Sequence, residues 1–206
     1  APKQDHQVSF NYGNDKIQSR ASIVYENVGA LYDHKNYQRV SSRFNNHIEL
    51  NDYLSANVDF AFNSSLMKSP IINPLNDAWT TAPIYAALWT DGRIAEGKSG
   101  SNPYARLNFG GFSNSRNNRL AGKISLDFKP MKGMTLSAVV SPLLNFGEGK
   151  KFSKQLPFYD ADDPTLFRSY IAGHDITSLE ESRPKSKSLT KQFLANYAKT
   201  IGGVHQ

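Results

Sequence analysis

The chain has 206 residues, with 24 Lys and Arg against 18 Asp and Glu, a formal net charge of +6 and no cysteine. The missing thiols exclude disulfides, thiolate metal sites and cysteine nucleophiles. The scattered basic residues, whose densest run (Arg183 to Lys191) is interleaved with serine, offer no stripe of the kind nucleic acid requires.

Only 39% of residues are hydrophobic, yet 12% are aromatic. A disordered tail has few aromatics; many rings with few aliphatics suit strands that are apolar on one face only. No stretch approaches eighteen apolar residues, so no transmembrane helix is expected. A spanning β-strand remains open, because it needs only about 9–11 residues and alternates apolar with polar. The opening residues, Ala1-Pro2-Lys3-Gln4-Asp5-His6, lack the plan of a signal peptide. The expectation is a leader already removed or a start inside a longer protein.

In chain order, period two dominates. Val8, Phe10 and Tyr12 alternate with Ser9 and Asn11, and Ala21, Ile23 and Tyr25 with Arg20 and Ser22. Val40, Phe44, Ile48 and Leu50 oppose Arg39, Ser41, Arg43, Asn45 and Glu49. Leu54, Ala56, Val58, Phe60 and Phe62 oppose Ser55, Asn57, Asp59 and Asn63. From Arg116 to Met131 the even positions Leu120, Gly122, Ile124, Leu126 and Phe128 are apolar or small, while the odd ones include Arg119, Lys123 and Asp127. A helix would scatter these two sets around its circumference. Met134, Leu136, Ala138 and Val140 follow, and a last strand runs from about Lys187 to Ile201. Seven strands are predicted.

The connections alternate in length. Tight turns are predicted at Gly13-Asn14-Asp15-Lys16, Asn51-Asp52, Lys132-Gly133 and, beginning another, Gly202-Gly203. Longer links run from about Val28 to Asn36, Met67 to Ser115 and Gly147 to Ser186. Within the second, Ile84 to Trp89 reads as an amphipathic helical turn or two. A protein whose tight turns all lie at one end and long loops at the other is built like an outer-membrane barrel, with short periplasmic turns and long extracellular loops.

Catalytic constellations are missing. His6, His34, His47, His174 and His205 are far apart, and no pair has ligand spacing. Asn145-Phe146-Gly147-Glu148-Gly149 is neither a P-loop nor a dinucleotide fingerprint and reads as a loop entry. Asp160, Asp162 and Asp163 offer hard oxygens for a divalent cation, but without a calcium loop's glycine and distal glutamate they read as a solvated acidic loop. No cofactor, metal or enzymatic activity is expected. Trp79, Trp89, Tyr104, Tyr159 and Tyr170, with Phe112, are the candidate ligand-binding residues, since loop rings stack on sugars or peptide side chains; the alternative is that they pack the loops together. Tyr12, Tyr25, Tyr37 and Tyr53 lie near strand ends, as an aromatic girdle requires, and Arg119, Lys123 and Asp127 would line a wet lumen in interstrand ion pairs.

The stretch Gly13 to Tyr25, then Asn36-Tyr37-Gln38-Arg39 and Arg43-Phe44-Asn45, resembles an early barrel segment of SusC/RagA-type TonB-dependent transporters of Bacteroidetes. Asn102-Pro103-Tyr104-Ala105, Gly122 to Leu136, and Ser182 to Thr190 with Phe193 and Tyr197 resemble later parts of the same region, in order. The resemblance implies an importer of oligosaccharides or peptides in the bacterial outer membrane, lidded by a SusD-like surface lipoprotein and energised through TonB. It also implies a carboxypeptidase-regulatory-like domain, a TonB box, a plug and a 22-strand barrel, of which residues 1–206 would supply only part of the barrel.

The expected fold is therefore all-β: an antiparallel, up-and-down transmembrane β-barrel segment of about seven strands, part of a larger barrel, with long extracellular loops. Its expected neighbours are outer-membrane lipid, the plug and remaining strands, and no nucleic acid. The rival expectation is a soluble β-sandwich that binds glycans, part of a secreted protein, which would bury its apolar faces against each other.

Overall fold

The computed structural model describes residues 2–198. The predicted turn at Gly202-Gly203, the strand end at Ile201 and His205 lie outside them. One antiparallel sheet dominates: β1 (Lys3–Gly13), β2 (Ile17–Gly29), β3 (Asn36–Asn51), β4 (Leu54–Ser69), β5 (Gly111–Met131), β6 (Met134–Ser153) and β10 (Lys185–Tyr197) lie side by side in that order. Every neighbour in space is also the neighbour along this series, as in an up-and-down wall. Between β6 and β10 the chain forms a small hairpin of β7 (Pro157–Tyr159) and β8 (Phe167–Tyr170), then β9 (Ser178–Ser182). β9 pairs the loop-end half of β6, so β9 and β10 follow one another along the same neighbour. Pro184 interrupts them because it has no N–H for the ladder, and its carbonyl instead accepts from Gly147 N at 2.9 Å.

The tight turns follow from local chemistry. Asn14 Oδ1 accepts from the N–H groups of Lys16 and Ile17 at 2.9 and 2.7 Å, and Asn51 Oδ1 from Tyr53 N at 2.9 Å. Gly133 sits at φ +83°, a left-handed conformation that glycine adopts without a Cβ penalty.

Cross-strand register turns period two into two faces. Phe10, Ala21, Phe44, Phe60 and Gly122 stand opposite one another in a row, and Leu54, Phe128 and Leu136 form another. The apolar run covers Leu54 to Phe62 on β4 and Leu120 to Phe128 on β5, nine residues on each, the length a tilted membrane-spanning strand needs. This face is bare: Val8 is 73% exposed, Phe60 41%, Leu126 47% and Phe193 85%. No second layer lies on it among the described residues, which rules out the sandwich. Its polar interruptions are Lys191, Ser42, and the pair Ser19 and Asn46, which hydrogen-bond to each other at 2.7 Å.

The opposite face is polar and crowded. Ser55, Ser125, Val139 and Gly147, the buried residues of the large sheet's strands, all belong to it. Side chains converge on the inside of a curved sheet and diverge on the outside, so this is the concave face.

Several sequence expectations are corrected. β5 starts at Gly111 and β6 runs to Ser153, so Asn145 to Gly149 is strand interior rather than a loop entry. Beyond the apolar band both faces are polar, and hydropathy alternation fades although backbone pairing continues. Ile84 to Trp89 is not helical. The helices are α1 (Pro74–Thr80) and α2 (Pro103–Phe109), each opened by an asparagine cap and a proline. Residues 87–95 instead fold back at Asp91-Gly92, with Trp89 N donating to Arg93 O at 2.8 Å and Leu88 bridging Ile94. Tyr12, Tyr25 and Tyr197 share the apolar face, but Tyr37 pairs with Val28 and Met67 on the polar one, outside any girdle.

The hydrophobic core is not in the sheet. Ala105, Leu156, Phe158 and Ile171 are buried together, with Ile94 against them. All belong to the two long connections, which form a packed cap at the loop end.

Candidate ligand-binding site

The cap is held by a few buried polar residues. Asn102, 1% exposed, accepts from Ala105 N through Oδ1 and donates through Nδ2 to Ala87 O and Ala95 O at 2.7 and 2.8 Å. It starts α2 and fastens the fold-back of residues 87–95 to it. His174, equally buried, faces Lys154 O through Nδ1 at 2.9 Å. Arg106 of α2 pairs with Asp77 of α1 at 2.6 Å.

The two long connections also bond to each other. Ala172 N donates to Gly100 O, and Lys154 N to Gly110 O, both at 2.9 Å. Arg93 donates from Nη1 to Asp160 O at 2.7 Å and from Nη2 to Ala161 O at 3.1 Å. Between these ties opens a cleft of about 660 Å³ lined by Tyr85, Trp89, Glu96, Tyr159, Asp160 and Arg168. The N–H of the Trp89 indole is buried without an acceptor. Aromatic faces beside one free carboxylate and an Arg–Asp pair can stack on a ring and hydrogen-bond its substituents.

The acidic loop is organised inward, not around a cation. Asp160 takes the guanidinium of Arg168 on one oxygen and the N–H groups of Asp162 and Asp163 on the other. Arg168, then those N–H groups, hold its carboxyl below the usual aspartate range. Among the described residues no three His, Asp or Glu side chains are grouped to hold a metal.

Of the predicted aromatic residues, Trp89 and Tyr159 meet in the cleft. Tyr170 stands one ring removed, since Phe167 lies 5.0 Å from Tyr170 and 6.0 Å from Tyr159. Trp79 projects from α1, 91% exposed, and Tyr104 packs edge-on against Phe109 on α2; neither lines the cleft. Phe112 belongs to the sheet, against Phe152. Sequence reasoning missed Tyr85, Glu96 and Arg168. Arg168 meets Asp160 across the β7–β8 hairpin, a pairing with no periodic signature.

The concave face carries a second polar surface. Asn57 donates to Ser125 Oγ at 3.1 Å and Asp127 Oδ2 at 3.0 Å, and Ser137 to Asp127 Oδ1 at 2.5 Å. His47 lies between Asn57 and Glu49 at 2.7 and 3.0 Å, and Asn45 donates to Asp59. A hollow of about 770 Å³ opens against these side chains. Among the described residues the expected ion pairs of Arg119, Lys123 and Asp127 do not form; amides and hydroxyls satisfy Asp127 instead. The ion network of this face is Lys3–Glu26–Arg39, at 3.6 and 2.9 Å.

A single antiparallel layer, bare and apolar on its outer face, polar inside and topped by packed loops at one end, defines an open section of an up-and-down β-barrel wall. No protein-family model matches the chain, and no curated protein does. Among solved structures it is similar to a chain in "Structure of the RagAB peptide transporter", with a TM-score of 0.71 and 16% identity over 98% of this chain. It spans 22% of that chain. The likeness is one of fold, and at that level the expected resemblance to RagA-type transporters holds.

Proposed function

We propose that the chain is part of the outer-membrane barrel of a TonB-dependent importer for oligosaccharides or peptides. The carrying observation is the bare apolar band, nine residues tall on β4 and on β5, backed by a polar concave face. In water so large an exposed apolar surface is a liability; against hydrocarbon it is the requirement. The unpaired edges of β1 and β10 would be closed by the remaining strands of the barrel, since free edges invite aggregation. The plug, a SusD-like lipoprotein over the loop cap, and TonB complete this reading. The chain has no catalytic role in it; the cleft between Trp89 and Tyr159 contributes to capture of the incoming sugar or peptide.

Single-cysteine variants test the proposal, since residues 1–206 contain no cysteine and any elsewhere in the full-length protein can be replaced by serine. Spin labels at Phe60, Ala61, Phe62 and Asn63, in the full-length protein in bilayers, are expected to alternate. Oxygen should relax the even positions and a water-soluble nickel complex the odd ones. Equal access of the nickel complex to all four would sink the membrane assignment. Trp89→Ala with Tyr159→Ala is expected to weaken oligosaccharide or oligopeptide binding by about tenfold or more, from lost stacking. Unchanged binding of both ligand classes would remove the cleft from the pathway.

A further inference from the structure

The charges of the cleft between the two long connections are unevenly partnered. Its positive groups are already taken. Arg168 lies on the Asp160 carboxylate, with Nε at 2.8 Å. Arg93 holds Asp91 at 2.5 Å and the carbonyls of Asp160 and Ala161 at 2.7 and 3.1 Å. Glu96 is different. It lines the same cleft and is exposed, and it makes no ion pair or side-chain hydrogen bond among the described residues. Lys98, next but one along the chain, neither lines the cleft nor pairs with it.

The position of Glu96 is nonetheless fixed. Ala95 before it and Gly97 after it are both buried. The Ala95 carbonyl accepts from Asn102 Nδ2 at 2.8 Å, and a Cβ on Gly97 would fall 1.7 Å from Ser101 O. The backbone is therefore clamped on either side of a carboxylate that reaches solvent. Around that carboxylate the cleft presents the rings of Tyr85, Trp89 and Tyr159. Ring faces attract cations through their quadrupole, and a carboxylate beside them supplies the counter-charge. A guanidinium suits this combination best, because it is planar, lies flat on a ring and still turns its N–H fork to a carboxylate. An amino sugar suits it less. With the sugar stacked on an aromatic face, an equatorial amine points along the sugar plane rather than onto that face. We propose that the cleft captures oligopeptides through an arginine side chain, which stacks among Tyr85, Trp89 and Tyr159 and forks onto Glu96. The inference rests on the reading of this cleft as a capture site, and narrows its ligands to peptides that carry arginine.

The test is titration of the full-length protein, in lipid nanodiscs, with two alanine-rich hexapeptides that carry arginine or citrulline at one central position. Citrulline keeps the planar shape and loses the charge. Oligomers of glucosamine and of N-acetylglucosamine make a second pair. The wild type is expected to bind the arginine peptide about tenfold tighter than the citrulline peptide. Glu96→Gln should abolish that preference. Glu180→Gln, which removes a carboxylate on β9 outside the cleft, should keep it. Equal affinity of the wild type for the two peptides overturns the inference, as does a preference that survives Glu96→Gln or vanishes in Glu180→Gln. A preference for glucosamine over its N-acetylated oligomer as large as that for arginine overturns it too. Measurable binding in each of these cases leaves the capture reading in place. Failure of the wild type to bind any of the four probes overturns both.

Discussion

At the residue scale, the loop cap depends on a few side chains that satisfy several backbone groups each. Asn102 is the strongest case, because removing its amide strands the buried Ala95 carbonyl, frees the Ala87 carbonyl and uncaps α2. Asn102→Ala is expected to cost about 2–3 kcal/mol, read as faster hydrogen exchange across residues 87–105 with the sheet amides unaffected. Asp160 gives the cap a pH dependence. Its carboxyl is held below the ordinary aspartate pKa, first by Arg168. The stabilisation is therefore complete above about pH 3.9 and lost as the pH falls through the lowered folded value. An NMR titration is expected to show the Asp160 carboxyl protonating below the ordinary aspartate range, and Arg168→Gln should return it toward the ordinary value.

At the element scale, each sheet strand presents one apolar and one polar face over the band. Ile124 stands on the outer face between Val58 and Val140, whereas Gln192 on β10 faces inward opposite Val139. Ile124→Lys is expected to destabilise the barrel by about 2–4 kcal/mol, as a cation does near the bilayer midplane, and Gln192→Lys by less than about 0.5 kcal/mol. Urea unfolding of the full-length protein in vesicles measures both; equal costs would contradict the assignment of faces. The band also explains which strand boundaries were readable. Over Leu120 to Phe128 one face is apolar and the other polar, so composition alternates. Over Gly111 to Arg119 both faces are polar, so the start of β5 left no hydropathic trace even though its ladder to β4 and β6 continues.

At the scale of the whole molecule, the apolar side chains serve two separate ends: those of the sheet face outward, and those of the long connections make the only buried cluster among the described residues. The chain on its own, in water, is expected to associate through the bare face and through the edges of β1 and β10. Light scattering without detergent should report large particles that a micelle-forming detergent disperses. A monodisperse 23.0 kDa species in plain buffer would contradict the barrel section.

The sequence alone determined that there are seven long strands, the faces of their residues within the apolar band, and the sorting of short turns from long loops, because period two and turn chemistry are local properties of the chain. It placed Trp89 and Tyr159 among the loop aromatics but could not bring them together, nor predict that Arg168 would occupy Asp160 or that Asn102 would fasten residues 87–95 to α2. Those contacts join positions up to about seventy residues apart and depend on which loops the antiparallel ladder delivers to one end. Backbone pairing, blind to side-chain polarity, extended β5 and β6 past the band and carried the cap above the apolar surface.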